Sequence, residues 1–321
     1  MEDRNPVGVL GSGYMGHGIT QLFATKGKRV ILVDSVRTAL QGAEAQIRDN
    51  LAYMVELGYL SASDAEAAAR RISYSTSLDD LFSQARYITE AVTENLDLKK
   101  EVFQALDKGT ADSVILTSNS SSFDINAIAE RVTKKERVIG THWFHPPPIT
   151  PCVEVIPGTG TAKAVIEETV ALLESIGKAP TLCKSAPGFV ANRIQYALVS
   201  ECLAIVNEGL ATPEEVDRIV KTSIGFRLSA FGPLEVCDQA GLDVYNTIFK
   251  YFHEVFKRDV FKAPRVLEEM VSQGRLGLKS GKGFYDYGAG AAARIRRERD
   301  EKLYARLEVY LKENKKDKAN H

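Results

Sequence analysis

The segment Val7-Gly8-Val9-Leu10-Gly11-Ser12-Gly13-Tyr14-Met15-Gly16 joins a β-branched apolar run to a glycine-rich turn. Its three glycines follow the spacing G-x-G-x-x-G, and a helical pattern then continues to Thr25. A strand, this turn and a helix are together the context in which the motif binds the pyrophosphate of a dinucleotide. Gly11 is expected to permit the tight turn, Gly13 to let phosphate approach the backbone, and Gly16 to let the helix pack on the strand.

The turn and the next strand supply further candidate cofactor contacts. Tyr14 and Met15 lie between the second and third glycines and are therefore assigned to the predicted cofactor site. A second apolar strand, residues 29–33, runs into Asp34, whose carboxylate can hydrogen-bond ribose hydroxyls and would repel a 2′-phosphate. These features predict NAD rather than NADP. FAD-binding proteins share the fingerprint, and a purely structural glycine turn is the other alternative.

Short β-branched runs alternate with helical patterns in the first half of the chain. Strands are predicted over residues 7–10, 29–33, 87–89, 114–117, 137–140 and 152–156. Helices are predicted over 16–25 and over 162–176, which ends before Gly177. Such alternation indicates an α/β fold in which helices cover both faces of a Rossmann-type, doubly wound, mostly parallel sheet.

The pattern becomes helical after Pro187-Gly188. Apolar residues recur at helical spacing from Phe189, and Thr212-Pro213-Glu214-Glu215 has the residue types of a helix start. Residues 294–312 predict a charged, solvent-exposed helix. We therefore expect a cofactor-binding Rossmann domain over residues 1–186 and a second, all-helical C-terminal domain over residues 187–321.

Composition excludes several classes of protein. The net charge of −1 gives no basic field that would attract nucleic acid, and no apolar run is long enough for a membrane span. The opening residues 1–6 lack the apolar core of a signal peptide, so a cytoplasmic protein is expected. The four cysteines are far apart and form no C-x-x-C pair, so no metal site is predicted.

His142 is the candidate catalytic base. It follows the predicted strand 137–140, and ligands of open α/β sheets bind beyond the carboxyl ends of strands. An imidazole there can accept a hydroxyl proton while hydride leaves the carbon for a nicotinamide. Glu154, on the next predicted strand, could bond the other ring nitrogen and fix its tautomer. From these residues alone, an equally open interpretation is that His142 lies on the surface and that Glu154 does not interact with it.

Several longer motifs resemble those of the L-3-hydroxyacyl-CoA dehydrogenase family, which includes 3-hydroxybutyryl-CoA dehydrogenases. The resemblance runs from about Val7 to Tyr287. The matching segments are Ser118-Asn119-Ser120-Ser121-Ser122, Gly140-Thr141-His142-Trp143-Phe144-His145-Pro146, Val153-Glu154-Val155-Ile156, Ala186-Pro187-Gly188-Phe189-Val190-Ala191-Asn192-Arg193, Gly232-Pro233-Leu234-Glu235 and Gly277-Leu278-Lys279-Ser280-Gly281-Lys282-Gly283-Phe284-Tyr285.

The resemblance implies roles for individual residues in catalysis and in NAD binding. His142 would be the base and Glu154 its orienting partner, while Ser121 and Asn192 would bind the oxygen on which charge develops. The positions expected to contact NAD are Glu94, Lys99, Ser121, His145 and Lys279. It further implies that the helical domain closes over the nucleotide domain and builds most of a homodimer interface.

Two departures from the family pattern bear on the substrate. His145 stands where the family has asparagine, which either alters substrate contacts or replaces one hydrogen-bonding group with another. Residues 50–59, where many relatives carry lysines near the CoA phosphates, contain no lysine and one acid.

The expected substrate is an acyl-CoA. The alternatives are a non-CoA hydroxy acid or carboxylate-bearing alcohol, and a non-catalytic, crystallin-like protein of this fold.

Overall fold

The computed structural model describes residues 6–288 and 290–319. The chain forms two compact units that divide between Leu198 and Val199. The backbone N–H groups of Val190 and Ala191, which follow residue 186, bond to Glu154 within the first unit. The opening residues 1–5, on which part of the expectation of a cytoplasmic protein rests, lie outside the described residues.

The first unit is built on one eight-stranded sheet. Its strands are β1 (Val7–Leu10), β2 (Val30–Val33), β3 (Ile72–Ser75), β4 (Tyr87–Glu90), β5 (Ile115–Ser118), β6 (Val138–Trp143), β7 (Cys152–Pro157) and β8 (Ala179–Leu182). They lie in the order β3-β2-β1-β4-β5-β6-β7-β8, and every neighbouring pair is parallel except β6 and β7. The expected doubly wound, mostly parallel sheet is therefore confirmed.

All six predicted strands are present, but the sequence did not predict β3 and β8. These two strands form the edges of the sheet, where one side has no neighbouring strand. Only Ile72 is buried in β3, and β8 contains Pro180 and leaves Leu182 exposed. Because edge strands bury less apolar surface and tolerate proline, their hydrophobic pattern is weak.

Helices cover both faces of the sheet. In the first unit they are α1 (Gly16–Thr25), α2 (Arg37–Glu56), α3 (Ala62–Arg70), α4 (Asp79–Gln84), α5 (Leu96–Gly109), α6 (Ile125–Ile128) and α7 (Lys163–Ser175), and α8 (Ala191–Asn207) continues into the second unit. One buried apolar cluster includes Phe23, Ile47 and Trp143, and a second includes Phe103 and Leu116. These two clusters are the layers of core that a doubly wound sheet requires.

The second unit is helical, as expected. Its helices are α9 (Pro213–Thr222), α10 (Ile224–Leu228), α11 (Pro233–Ala240), α12 (Leu242–Phe256), α13 (Arg265–Ser272) and α14 (Ala291–Ala319). Thr212 and Glu215 form the predicted capping box at the start of α9. The charged helix predicted over residues 294–312 is present as the longer α14. No helix in the described ranges is long and apolar enough to cross a membrane.

A buried carboxylate explains the closing glycine-rich motif of the second unit. Asp238, fully buried on α11, accepts hydrogen bonds from the backbone of Phe284 and Tyr285 and from the hydroxyl of Tyr287. A Cβ atom at Gly283 would lie 2.2 Å from a carboxylate oxygen of Asp238. Only glycine fits at that position, so the motif is required to hold this part of the second unit.

Candidate active site

The three glycines of the first turn have different surroundings. Gly11 has a φ of +102°, and a Cβ there would lie 2.5 Å from the carbonyl oxygen of Ala91. A Cβ at Gly16 would lie 1.8 Å from the carbonyl oxygen of Gly11, so the start of α1 packs directly on the turn. A Cβ at Gly13 would meet nothing within 4 Å. The turn is thus closed at its two ends and open at its middle, which fits the approach of a pyrophosphate.

Asp34 contacts this turn from the end of β2. One of its carboxylate oxygens accepts hydrogen bonds from the backbone N–H and the hydroxyl of Ser12, each at 2.8 Å, and the other accepts one from the N–H of Val36. The carboxylate is therefore fixed beside the glycine-rich turn. This is the position from which it could bind the ribose of a dinucleotide.

A buried ion-pair network lies beside the turn, at the end of β4. The Lys99 ammonium donates to Glu90 Oε1 at 2.6 Å and lies 3.2 Å from Glu94 Oε2. Ser118 donates to the other oxygen of Glu90 at 2.6 Å. Lys99 and Glu90 are fully buried. A lysine and a glutamate can be buried in this way because each is paired and hydrogen-bonded.

Glu94 organises the serine-rich loop that follows β5. Its Oε1 accepts hydrogen bonds from the hydroxyls of Ser120 and Ser122 and from the backbone N–H of Ser121. Burial acts to raise the pKa of Glu94, but the hydrogen bonds from Ser120, Ser122 and Lys99 and the charge of Lys99 together outweigh it, so the pKa lies below its ordinary value. Glu94 is therefore an anion that holds this loop in place.

His142 and Glu154 form a buried hydrogen-bonded pair. The two residues lie directly opposite each other on the antiparallel strands β6 and β7, which places their side chains on one face of the sheet. His142 Nδ1 lies 2.7 Å from Glu154 Oε2, and both side chains are at most 6% exposed. Because a carboxylate can only accept, Nδ1 carries the hydrogen and Nε2 of the neutral ring is left as the acceptor.

The segment before α8 fixes the second oxygen of Glu154. Oε1 accepts hydrogen bonds from the N–H groups of Val190 at 3.0 Å and Ala191 at 2.9 Å. Phe189 adopts a left-handed φ of 50°, is buried, and has its ring 5.6 Å from that of His142. A left-handed conformation is uncommon for a bulky residue. Here it brings two N–H groups to the carboxylate and an aromatic ring to the imidazole.

Ser121 and Asn192 come together beside this pair. The side-chain amide of Asn192, on the first turn of α8, donates to the carbonyl oxygen of Ser121 at 3.0 Å. Ser121 also lies on the wall of the cavity that contains His142. The two residues that the family resemblance assigned to the substrate oxygen are therefore in direct contact.

One cavity of about 490 Å³ gathers most of the predicted residues. We name it the catalytic cavity. The site residues on its wall are Gly13, Tyr14, Met15, Glu94, Lys99, Ser121, His142 and His145. Lys279 belongs to the second unit, where its ammonium pairs with Asp243 at 2.5 Å.

Two residues important for the site were missed from the sequence. Glu90 is the last residue of β4, and it is an acidic residue at a strand end, as Asp34 is after β2. The predicted strand 87–89 stopped one residue before it, so this signal was not used. Lys178 is buried and donates to the carbonyl oxygens of Pro147 and Thr150, which fixes the loop after β6. Burial and then the charge of Lys26 lower the pKa of Lys178 to about 8. No sequence pattern indicated its role.

Two profiles of one protein family together match most of the chain. Residues 6–186 match the profile described as 3-hydroxyacyl-CoA dehydrogenase, NAD binding domain, and residues 188–287 match that of the C-terminal domain of the same family. A crystal structure of a 3-hydroxyacyl-CoA dehydrogenase from Archaeoglobus fulgidus superposes with a TM-score of 0.80 at 31% identity. It covers 95% of this chain and 99% of that one.

Two curated relatives differ in what their names say they act on. The 3-hydroxyadipyl-CoA dehydrogenase of Escherichia coli is 37% identical over 88% of this chain, which spans 59% of that protein's length. The 5-formyl-3-hydroxy-2-methylpyridine 4-carboxylate 5-dehydrogenase of Mesorhizobium japonicum is 31% identical over 93% of this chain and 96% of its own. Taken with the two domain matches, these findings show that the chain belongs to the 3-hydroxyacyl-CoA dehydrogenase family and that its first domain is the NAD-binding domain of that family.

Proposed function

We propose that this protein oxidises the 3-hydroxyl group of an L-3-hydroxyacyl-CoA to the 3-keto compound, reversibly and with NAD. The observation that carries the proposal is the 2.7 Å hydrogen bond between His142 and Glu154, with His142 on the wall of the catalytic cavity. The same cavity includes Gly13 of the glycine-rich turn, so a base and a cofactor-binding turn share one space.

Each residue of the site has a task in this reaction. When bound, NAD supplies the acceptor for the hydride that leaves the carbinol carbon. Gly11, Gly13, Gly16 and Asp34 would hold its pyrophosphate and ribose. His142 Nε2 takes the hydroxyl proton of the substrate.

Glu154 keeps Nε2 of His142 free to accept this proton and then stabilises the imidazolium that forms. Ser121 and Asn192 would hold the substrate oxygen as it becomes a carbonyl, and they would meet the same oxygen in the reverse direction.

The same chemistry on a substrate without CoA is the second candidate, and the arm formed by α2 and α3 favours it. Two arginines of this arm are paired with acids of their own helices, Arg48 with Glu44 at 2.7 Å and Arg70 with Glu66 at 3.2 Å. Residues 50–59 contain no lysine. The arm thus offers few cations for the CoA phosphates. The relative from Mesorhizobium japonicum, named for a pyridine carboxylate, supports the same alternative.

Formation of NADH with a panel of alcohols tests both candidates. The panel contains 3-hydroxybutyryl-CoA, free 3-hydroxybutyrate and a hydroxymethyl aromatic carboxylate. We expect turnover of the CoA ester with saturation at micromolar concentrations. Turnover of a free acid with an inert CoA ester would replace the first candidate by the second. Binding of NADH without turnover of any member would contradict a catalytic function altogether.

We also propose that the protein is a homodimer. The family resemblance supports this, and so do the apolar side chains that α12 leaves exposed, among them Val244, Ile248, Tyr251 and Val255. Contiguous exposed apolar surface of this kind often marks an interface with another chain. One chain has a mass of 35.3 kDa, and light scattering should give twice that value. A mass equal to that of one chain would contradict the proposal.

A further inference from the structure

Two carboxylates share one ammonium in the buried network beside the glycine-rich turn. We name Glu90, Glu94 and Lys99 together the anionic network. Glu90 Oε1 accepts hydrogen bonds from the Lys99 ammonium and from the N–H of Val92, and its Oε2 accepts one from the hydroxyl of Ser118. Because each of these neighbours donates, Glu90 is ionised, as Glu94 is. Two negative charges and one positive charge leave the network with a net charge of −1.

This charge lies at the wall of the catalytic cavity. Glu94 and Lys99 line the cavity, and Glu90 lies directly behind Lys99, 2.6 Å from its ammonium. The side chain of Glu94 is 36% exposed and that of Lys99 is 1% exposed, so the carboxylate is the more accessible charge. The other lining residues, all of them described, include no Lys, Arg, Asp or Glu. Within the first unit, the network therefore gives the cavity a negative potential.

The nicotinamide ring of a bound cofactor has to lie in this cavity. His142 takes the proton of the substrate hydroxyl, and the hydride leaves the carbon that bears this hydroxyl, so the accepting ring must contact that carbon. His142, Gly13 of the glycine-rich turn and the anionic network line the same space of about 490 Å³. The oxidised ring is a cation, whereas the reduced ring is neutral. A negative wall therefore interacts more favourably with the oxidised ring.

Oxidation of the substrate moves one positive charge within the cavity. Hydride transfer removes the charge from the ring, and proton transfer places one on His142, so the total charge of the site does not change. The anionic network stabilises the charge on the ring, while Glu154, 2.7 Å from His142 Nδ1, stabilises the charge on the imidazolium. The network comes from β4 and α5 and Glu154 comes from β7. One counter-charge can therefore be changed without the other.

We propose that the anionic network sets the balance between oxidised and reduced cofactor on this enzyme. It is a counter-charge that favours the oxidised ring, and it thereby favours reduction of the 3-keto compound over oxidation of the 3-hydroxy compound. The inference rests on the proposed dehydrogenase function, because the role of His142 locates the ring. It adds that Glu90 and Glu94 act on the charge of the cofactor, beyond holding the serine-rich loop.

The test measures the dissociation constants of NAD⁺ and NADH without substrate and takes their ratio. Energy transfer from Trp143, the single tryptophan, reports NADH, and displacement of NADH reports NAD⁺. Glu94→Gln removes one negative charge at nearly constant size. Thr93→Asp adds one at an exposed position on the cavity wall. Glu101→Gln, at an exposed position of α5 outside the cavity wall, removes one negative charge and is the matched control.

The two cavity variants should change the ratio in opposite directions. A unit charge at this wall should change the affinity for a cationic ring by about three- to tenfold, so the ratio of the NAD⁺ to the NADH dissociation constant should rise by about that factor in Glu94→Gln. The ratio should fall in Thr93→Asp and stay unchanged in Glu101→Gln. General damage would weaken both cofactors alike and cancels in the ratio.

The direction of the reaction is measured separately. Stopped-flow absorbance of NADH gives the equilibrium on the enzyme with the substrate that the alcohol panel identifies. This equilibrium should shift toward NADH and the keto compound in Glu94→Gln, because the oxidised ring has lost part of its counter-charge. It should stay at the wild-type position in Glu101→Gln.

Other results would overturn the inference. An equal loss of affinity for NAD⁺ and NADH in Glu94→Gln means that the network only holds the serine-rich loop. An unchanged ratio in folded Thr93→Asp means that charge at this wall does not act on the ring. A ratio that responds as expected, in a protein whose wild type turns over no member of the panel, overturns the proposed function alone. The two failures are therefore distinguishable.

Discussion

Replacement of His142 by glutamine should lower kcat by about 10²–10⁴-fold, the range that a positioned general base contributes. A glutamine amide can still donate a hydrogen bond to Glu154, which lies 2.7 Å from the present imidazole nitrogen. It cannot take up a proton at neutral pH. The substitution therefore removes the base while it leaves the carboxylate partnered, and the fold should survive.

Binding and stability measurements separate this effect from general damage. NADH binding should persist in His142→Gln, because the glycine-rich turn and Asp34 are unchanged. His253→Gln is the matched control, since His253 lies on α12 of the second unit and is only loosely paired with Asp259, at 4.0 Å. It should retain wild-type kcat. Near-normal turnover by His142→Gln, with the control also active, would show that another group is the base.

The central part of the sheet could be predicted from the sequence because its strands are buried on both faces. β1, β2, β4 and β5 are each fully buried. β1 and β2 contain no polar side chain, while β4 and β5 each begin with two hydrophobic residues and end in two buried polar ones. The glycine spacing likewise determines the first turn, where Gly11 and Gly16 have no room for a side chain. The edge strands β3 and β8 lack this double burial, and for that reason their patterns were too weak to recognise.

The site could be predicted only in part. Order along the chain placed His142 and Glu154 on successive strands, but the antiparallel register that sets them opposite each other depends on the loop between the strands. The N–H groups of Val190 and Ala191 on Glu154 come from a segment more than thirty residues later, at sequence separations of 36 and 37. Contacts of that kind depend on the folded backbone and have no local pattern.

Replacement of Glu154 by glutamine should cost about as much activity as loss of the base itself, although the side chain keeps its size. In the protein, Oε1 accepts from two N–H groups and Oε2 faces His142 Nδ1. A glutamine must turn its carbonyl oxygen toward the two N–H groups, since its NH₂ group cannot accept from them. Its NH₂ group then faces the imidazole.

That orientation reverses the tautomer of His142. Facing an NH₂ donor, Nδ1 must become the acceptor, so the ring hydrogen moves to Nε2 and the nitrogen that should accept the substrate proton is already occupied. A change of this type in a serine-protease triad lowers kcat by about 10⁴-fold, and we expect a loss of 10³-fold or more for Glu154→Gln. Glu154→Asp, still a carboxylate, should retain more activity than Glu154→Gln despite its shorter reach.

Nitrogen-15 chemical shifts of the His142 ring should show hydrogen on Nδ1 in the wild type and on Nε2 in Glu154→Gln. An unaltered tautomer together with a large loss of kcat would mean that the charge of Glu154, rather than the orientation of the ring, is what catalysis requires.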